Sequence, residues 1–450
     1  MKKIIVLAVL AVIAGFLNAQ EFGFGSDSGD NGDSGFSGFG GSAAALSVTV
    51  GGEVSASLLG YFDDFSQGAD HTQLGDVFSG KLNFTAGTSF ADGVINLKLQ
   101  TTQQPVSIDE AYVRAYFGGL EIEGGLRKLT WGKADSFGPL DVINPLDYSE
   151  LTDLSDIMNL KIARPLIHAS YRIGSFTKIE ALFVPTFEPL RYATEGRWVP
   201  AQMEQFNQLL ALADIVGIKR NQPDISTVEY AQAGARFTTT IGPADLGLQY
   251  YYGRLTRPAF SIDLAPPSPL PTAINLDYNP YHQIGVDWAQ VLFGFNVRAE
   301  FAANITYDSK GDDGSVYNPS LLWSLGFDRD LVWGINLNFQ CNESIRLMHD
   351  KLSKKEFFGQ ALDIEADTDM TSTLIIAAIS KKFFRDELET RIAVMWGIED
   401  NDFLLIPSII WTRDTISLEL SAGIFGGSKE GQFGQYKDNS FLKAVLTYSF

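Results

Sequence analysis

The last ten residues, Phe441-Leu442-Lys443-Ala444-Val445-Leu446-Thr447-Tyr448-Ser449-Phe450, constrain the fold more than any other segment. Counted back from Phe450, every second residue is apolar (Tyr448, Leu446, Ala444, Leu442), while Lys443, Thr447 and Ser449 fall on the opposite face. A period of two belongs to an extended strand. One apolar and one wet face over about ten residues is the pattern of a strand that crosses a membrane within a barrel.

With its terminal aromatic, this closing strand resembles the assembly signal of bacterial outer-membrane barrels. The resemblance implies that Tyr448 and Phe450 are read by the barrel assembly machinery and that the chain resides in the cell outer membrane. The other end agrees: Lys2 and Lys3 form a basic n-region, Ile4 to Leu17 an apolar h-region and Leu17-Asn18-Ala19 a small-residue cleavage site. Residues 1–19 are therefore expected to be a signal peptide, with the mature chain starting near Gln20. No cysteine stands at the cleavage point, so no lipid anchor is expected, and the lone Cys341 cannot form an intramolecular disulfide. The chain is 45% hydrophobic and 12% aromatic with no later apolar run of helix-spanning length, so the outer face of a barrel is the natural place for that surface.

No linker or composition break follows residue 45, and a single closed sheet over 46–450 absorbs the length. Residues 20–45 are rich in Gly, Ser and Asp, with Phe22, Phe24, Phe36 and Phe39 spaced among them. Such a segment cannot fold alone, and reads as a disordered leader or as a plug tucked into the barrel. Its Asp27, Asp30, Asn31 and Asp33 lack the downstream bidentate Glu of a calcium loop, so no metal is expected. His71, His282 and His349 lack metal-ligand spacing and nucleotide-binding motifs are absent, so no cofactor is expected. The formal net charge of -20 becomes -22 once Lys2 and Lys3 leave with the signal. That acidity argues against nucleic acid as a partner and suits a soluble rim of acidic loops, a surface facing divalent cations or a cation-preferring vestibule.

Alternating segments predict strands at 46–63, 76–90, 93–102, 108–117, 120–132, 164–174, 176–185, 226–241 and 245–256, then at 278–290, 292–305, 316–328, 331–343, 370–384, 387–398, 402–412, 414–425 and 439–450. The class is all-β: a transmembrane antiparallel barrel of about eighteen strands, sixteen being the alternative count. Short turns are expected at 91–93, 118–119, 174–175, 242–244, 327–330, 385–386 and 413–414, where Gly, Pro or Asp supplies the chemistry. Long connections are expected at 133–163, 186–225, 257–277, 344–369 and 426–438. If both termini are periplasmic, nearly all tight turns lie on that side and the long loops lie outside.

Parity divides the faces. Leu120, Ile122 and Leu126 face lipid and Glu121, Glu123 and Arg127 the lumen; Ile167 and Tyr171 oppose His168, Ser170 and Arg172; Phe295, Val297 and Phe301 oppose Arg298 and Glu300. A lumen of both signs follows, because a charge facing lipid at mid-depth costs about 2–4 kcal/mol. Lys98, Arg114, Glu121, Glu123, Arg127, Arg172, Arg298 and Glu300 are the candidate lumen charges. The connection 133–163 is the third on its side and the candidate constriction. Its Asp135, Asp141 and Asp147 are expected to pair with Arg127 and Arg172 if the loop folds inward.

The run Gly125-Leu126-Arg127-Lys128-Leu129-Thr130-Trp131-Gly132-Lys133-Ala134-Asp135, continued by Asn144-Pro145-Leu146-Asp147, resembles uncharacterised Gram-negative porin-like barrels that share a G-R…W-G-x-A-D…N-P-x-D pattern. The likeness covers roughly residues 108–200. Physically, Asn144 and Asp147 read as turn caps and Trp131 as an interfacial anchor. Phe206, Leu209, Leu210, Ala213 and Val216 form a helical stripe, expected as a short helix over the barrel mouth. His168 and Ser170 share a face without a third partner, so no enzyme is expected. The reading is a porin-like channel for small solutes, with outer-membrane lipid around it. A transporter of hydrophobic, lipid-like molecules and a surface adhesin or structural barrel are the alternatives.

Overall fold

The computed structural model describes residues 46–66, 75–101, 105–154, 157–215, 217–264, 271–354, 356–357, 360–361, 363–366 and 368–450. The signal, leader and His71 readings lie outside them. Eighteen strands form one antiparallel sheet that closes on itself. In chain order they are β1 (Ser47–Tyr61), β2 (Gly75–Gly87), β3 (Ala91–Gln100), β4 (Val106–Phe117), β5 (Leu120–Arg127), β6 (Arg164–Ile173), β7 (Thr177–Val184), β8 (Gln232–Ile241) and β9 (Ala244–Arg254). There follow β10 (Pro280–Leu292), β11 (Phe295–Thr306), β12 (Ser320–Asp330), β13 (Ile335–Arg346), β14 (Thr371–Phe383), β15 (Leu388–Gly397), β16 (Asp402–Arg413), β17 (Ile416–Gly426) and β18 (Phe441–Ser449).

Closure is made by β1, which pairs with β2 on one side and with β18 on the other, Ala56 opposite Leu446. Beyond the last paired strand residue, Phe450 exchanges backbone hydrogen bonds with Gly52, each 3.0 Å. No strand edge of this sheet is left open, which is the condition for a sheet to stand in lipid. The outward set is apolar around the whole circumference: Val54, Leu58, Ile167, Leu248, Ile284, Phe301, Leu325, Ile392, Ile409, Leu420 and Leu446 are all exposed.

Loops sort by side as expected, with local differences. The tight turn between β2 and β3 lies at 88–90, not 91–93, and that between β12 and β13 at 331–334, not 327–330. Asp92 and Gly93 continue β3, Asp328 and Asp330 continue β12, and the bends fall on neighbours, including Trp333 at φ 65° and Gly334 at φ 68°. Strand β5 ends at Arg127, so 128–132 joins the loop.

The long loops have structure of their own. Asp147–Tyr148 pairs in parallel with Arg191–Tyr192, tying the third loop to the fourth, and the Tyr148 and Tyr192 rings stack at 6.2 Å. The expected helix forms as α1, Ala201–Ile215. A hairpin, Ala259–Leu264 with Pro271–Asp277, takes Lys219–Asn221 as a third strand.

Candidate functional site: the loop-filled lumen

The loop between β5 and β6, residues 128–163, touches opposite walls of the barrel, which places it inside. Along β9 to β13 polar side chains hold its peptide groups. Glu300 on β11 accepts hydrogen bonds from the backbone N–H groups of Lys133, Ala134 (2.7 Å) and Leu140 (3.2 Å). Gln249 on β9 and Gln283 on β10 donate to the carbonyls of Leu140 and Pro139, both at 3.0 Å. Gln340 on β13 accepts from the N–H groups of Asp135 and Ser136 and donates to the Ser136 carbonyl. An irregular loop away from water has no sheet partner for its peptide groups, and these side chains supply the missing partners.

Two glycines of the wall act as sockets. A Cβ at Gly285 would collide with the Leu140 side chain, and one at Gly234 would stand 2.8 Å from the Trp131 ring. Trp131 is therefore a buried knob against Tyr251 and Leu182, not the interfacial anchor expected of it. Its sequence neighbour Gly132 has φ 100° and lies against Glu300, where any side chain would strike the carboxylate.

Along β15 to β18 and β1 the contact is apolar. Leu151 and, from the fourth loop, Ala193 and Trp198 are buried with Met395, Leu404, Phe425, Phe433, Tyr436 and Phe441, and Phe137, Tyr148 and Leu154 pack at the edge. Arg197 lies 3.7 Å above the Tyr61 ring and within 3.4 Å of Asp63 and Asp64.

The candidate charges separate into groups. Arg114 reaches Glu123 at 2.7 Å and Glu121 at 3.4 Å; Arg127 reaches Glu110 at 2.8 Å and Glu123 at 3.7 Å, with its guanidinium over the Tyr112 ring. Lys98 pairs with Asp109 at 2.9 Å. Arg298 holds Asp135 at 2.9 Å and also contacts Asp328. Among the described residues Glu300 carries no ion pair and is a backbone acceptor instead.

The expected pairing of the loop acids with Arg127 and Arg172 does not occur. Asp135 goes to Arg298, Asp141 to Lys161 at 2.7 Å and Asp147 to Arg191 at 3.6 Å. Arg127 is taken by acids of β4 and β5, and Arg172 is exposed near the tight-turn end of β6, while the loop enters from the opposite end. Burial pushes the Asp141 carboxyl above the usual carboxylate range in spite of Lys161. His168 lies between Glu123 (3.1 Å) and Glu180 (3.3 Å), so both ring nitrogens face carboxylates and neither is left for Ser170.

Several residues escaped the sequence reading. For Asn144 only the role did: expected as a turn cap, it is a buried staple that accepts from Leu129 N–H and donates to the carbonyls of Arg127 and Ile162. Arg236 and Asp287 form a buried pair at 2.6 Å beneath the loop. Arg391 is opposite Ser408, Ser408 opposite Ser421, and Ser421 opposite Lys443, so these four share one row of the inner face. Lys443 Nζ is 3.4 Å from the Thr152 carbonyl of the loop.

Fold and site define an outer-membrane-type, porin-like β-barrel: an even-stranded closed sheet, apolar outside, charged inside, with a loop folded into the lumen. No protein-family model and no curated protein matches the chain. Among solved structures it is similar to Salmonella typhi OmpF in complex with daunomycin (8% identity, 90% of this chain and 97% of that chain, TM-score 0.43). It is also similar to the outer membrane channel DcaP of Acinetobacter baumannii (10% identity, 92% and 100%, TM-score 0.42) and to OccK11 of Pseudomonas aeruginosa (8% identity, 90% and 96%, TM-score 0.47). Likeness this distant says nothing of a permeant.

Proposed function

We propose that the protein is a channel for small polar solutes, with a passage between the anchored loop and the part of the inner wall that the loop leaves uncovered. One observation carries this reading. Beneath the loop, Arg236 and Asp287 are 4% and 0% exposed, whereas on β3 to β5 Lys98, Arg114 and Arg127 keep 25%, 23% and 20% of their side-chain surface open. Water reaches these charges although they face the lumen. A charged, wetted inner surface narrowed by a loop can screen and orient a polar permeant. Lys98, Arg114, Glu121 and Arg127 form one side of that passage, with Glu123 buried behind them as the partner of both arginines, Arg391 and Lys443 form the other, and Arg298 with Asp135 fixes the loop rim.

Purified protein in a planar bilayer should give discrete, ion-carrying openings. The apolar wall favours a second reading, transport of hydrophobic molecules; uptake of labelled lipid without conductance would select it. Neither activity, with the barrel assembled, would leave the adhesin or structural reading.

A further inference from the structure

The outer face of β11 and β12 carries an indentation at its tight-turn end. Leu292, Phe293, Phe295, Val297 and Phe327 line a cavity of about 300 Å³ that opens toward lipid. Its aromatic walls are braced: the Phe295 and Phe327 rings meet at 90° and 5.5 Å, and Phe339 stacks on Phe327 at 5.3 Å. Arg329, two residues beyond Phe327 on β12 and so on the same outward face, closes one end. Its guanidinium lies 4.6 Å from the Phe295 ring centre, and one N–H donates to the Phe293 carbonyl at 3.3 Å. The flanking Asp328 and Asp330 are engaged by Arg298 with Asn296 and by Asn336, and do not neutralise it.

We infer that this slot binds an anionic glycerophospholipid of the leaflet at the tight-turn side, one acyl chain in the cavity and the phosphate on Arg329. The chemistry is complementary at both ends. The lining is wholly apolar and open to lipid, and the Phe295 and Phe327 rings, braced against their neighbours, receive a chain at less entropic loss than mobile side chains would. A guanidinium has five donors, and with one spent on Phe293 it still presents an edge for two parallel bonds to phosphate. Lys381, across β13 on β14, has a similar posture 5.0 Å from the Phe383 ring, and serves as an internal control for charge without this slot.

The test uses the full-length protein in detergent, titrated with phosphatidylglycerol and with phosphatidylcholine of identical acyl chains, and read by native mass spectrometry. Wild type should retain phosphatidylglycerol on the order of tenfold better, the scale of one charge-assisted bidentate contact. Arg329→Gln should abolish the preference, and Val297→Trp, which fills the cavity, should lower retention of both lipids. Lys381→Gln should leave the preference intact. Heat-modifiable migration checks that each variant assembles. Undiminished preference in Arg329→Gln, or an equal loss in Lys381→Gln, would overturn the site in favour of diffuse surface charge. A dimer or trimer that Val297→Trp dissolves, with no lipid preference, would overturn it in favour of a second copy of the chain.

Discussion

The two halves of the inner wall hold the same loop by different physics. From β9 to β13 the loop's peptide groups are held by buried polar side chains, Gln249, Gln283, Glu300 and Gln340, beside the apolar knobs Trp131 and Leu140. From β15 to β18 and β1 it is a packed cluster in which the loop's Leu151, with Phe137, Tyr148 and Leu154 at the edge, lies among Leu404, Phe425, Phe441 and the fourth loop's Trp198. A polar anchor is directional and all-or-none: removing it leaves donors stranded away from water. A packed anchor is graded, losing roughly what the missing atoms buried. The polar half therefore fixes where the loop lies, and the apolar half mainly adds to how firmly it stays.

The strongest way to break this contrast is Glu300→Ala. It strands the N–H groups of Lys133, Ala134 and Leu140, at about 1–3 kcal/mol for each buried donor left unsatisfied. The loop should detach from β11, single-channel conductance should rise, and the segment 131–142 should become open to protease. Glu300→Gln, which keeps an acceptor oxygen, should fall between. A closed, protease-resistant loop in Glu300→Ala would remove the distinction between the two walls.

Trp198→Ala should cost about 3–5 kcal/mol by cavity formation in the apolar half. Its expected signature is a lower temperature for the heat-modifiable transition with ion preference unchanged, since no charge is touched. Trp198→Phe should recover most of the loss. A change of selectivity in Trp198→Ala as large as that in Glu300→Ala would show that the halves are not separable.

Gly285→Ala sharpens the comparison from the wall side. The added methyl meets Leu140, and overpacking of this kind costs about 1–3 kcal/mol. Leu140→Ala in the same chain should relieve the collision, so the double variant should lie closer to wild-type conductance than Gly285→Ala does. Strict additivity of the two changes would mean that knob and socket do not meet.

Much of the barrel was legible because its signal is local. Parity in Phe441–Ser449 or in Phe295–Thr306 needs no knowledge of the rest of the chain, and each of the eighteen expected strands has its counterpart. Turn positions were less legible where Asp and Gly stay extended, as at Ala91-Asp92-Gly93, and where aromatic residues such as Phe293 and Trp333 take positive φ instead. The loop's attachments were not legible at all. Which strands a loop crosses is set by how far it reaches, so Asp135 finds Arg298 and not Arg127, though Arg127 is eight residues away in sequence. The Gly132 and Gly138 pair around Glu300 was the one local hint of a close approach.

The smallest expected effect on stability tests where the passage runs. Arg391 and Lys443 stand at the two ends of a row whose middle is Ser408 and Ser421, on the wall between the loop and the tight-turn end. Glu389 and Glu419 lie one pleat nearer the turns, facing the same way, and neither forms a bridge with the two cations among the described residues. Neutralising both cations, as Arg391→Gln with Lys443→Gln, removes no ion pair among the described residues and only the long 3.4 Å contact of Lys443 with the Thr152 carbonyl, so stability should stay within about 1 kcal/mol of wild type. Two positive charges fewer beside two persistent carboxylates should nevertheless move the potential of a narrow passage toward cations. The reversal potential under a salt gradient should shift in that direction, more at low than at high ionic strength because screening shortens the reach of the field. An unchanged reversal potential, with Arg114→Gln and Arg127→Gln shifting it, would confine the passage to the β4 and β5 side. No shift in either pair, with channels still open, would mean that ions pass by a route none of these charges lines.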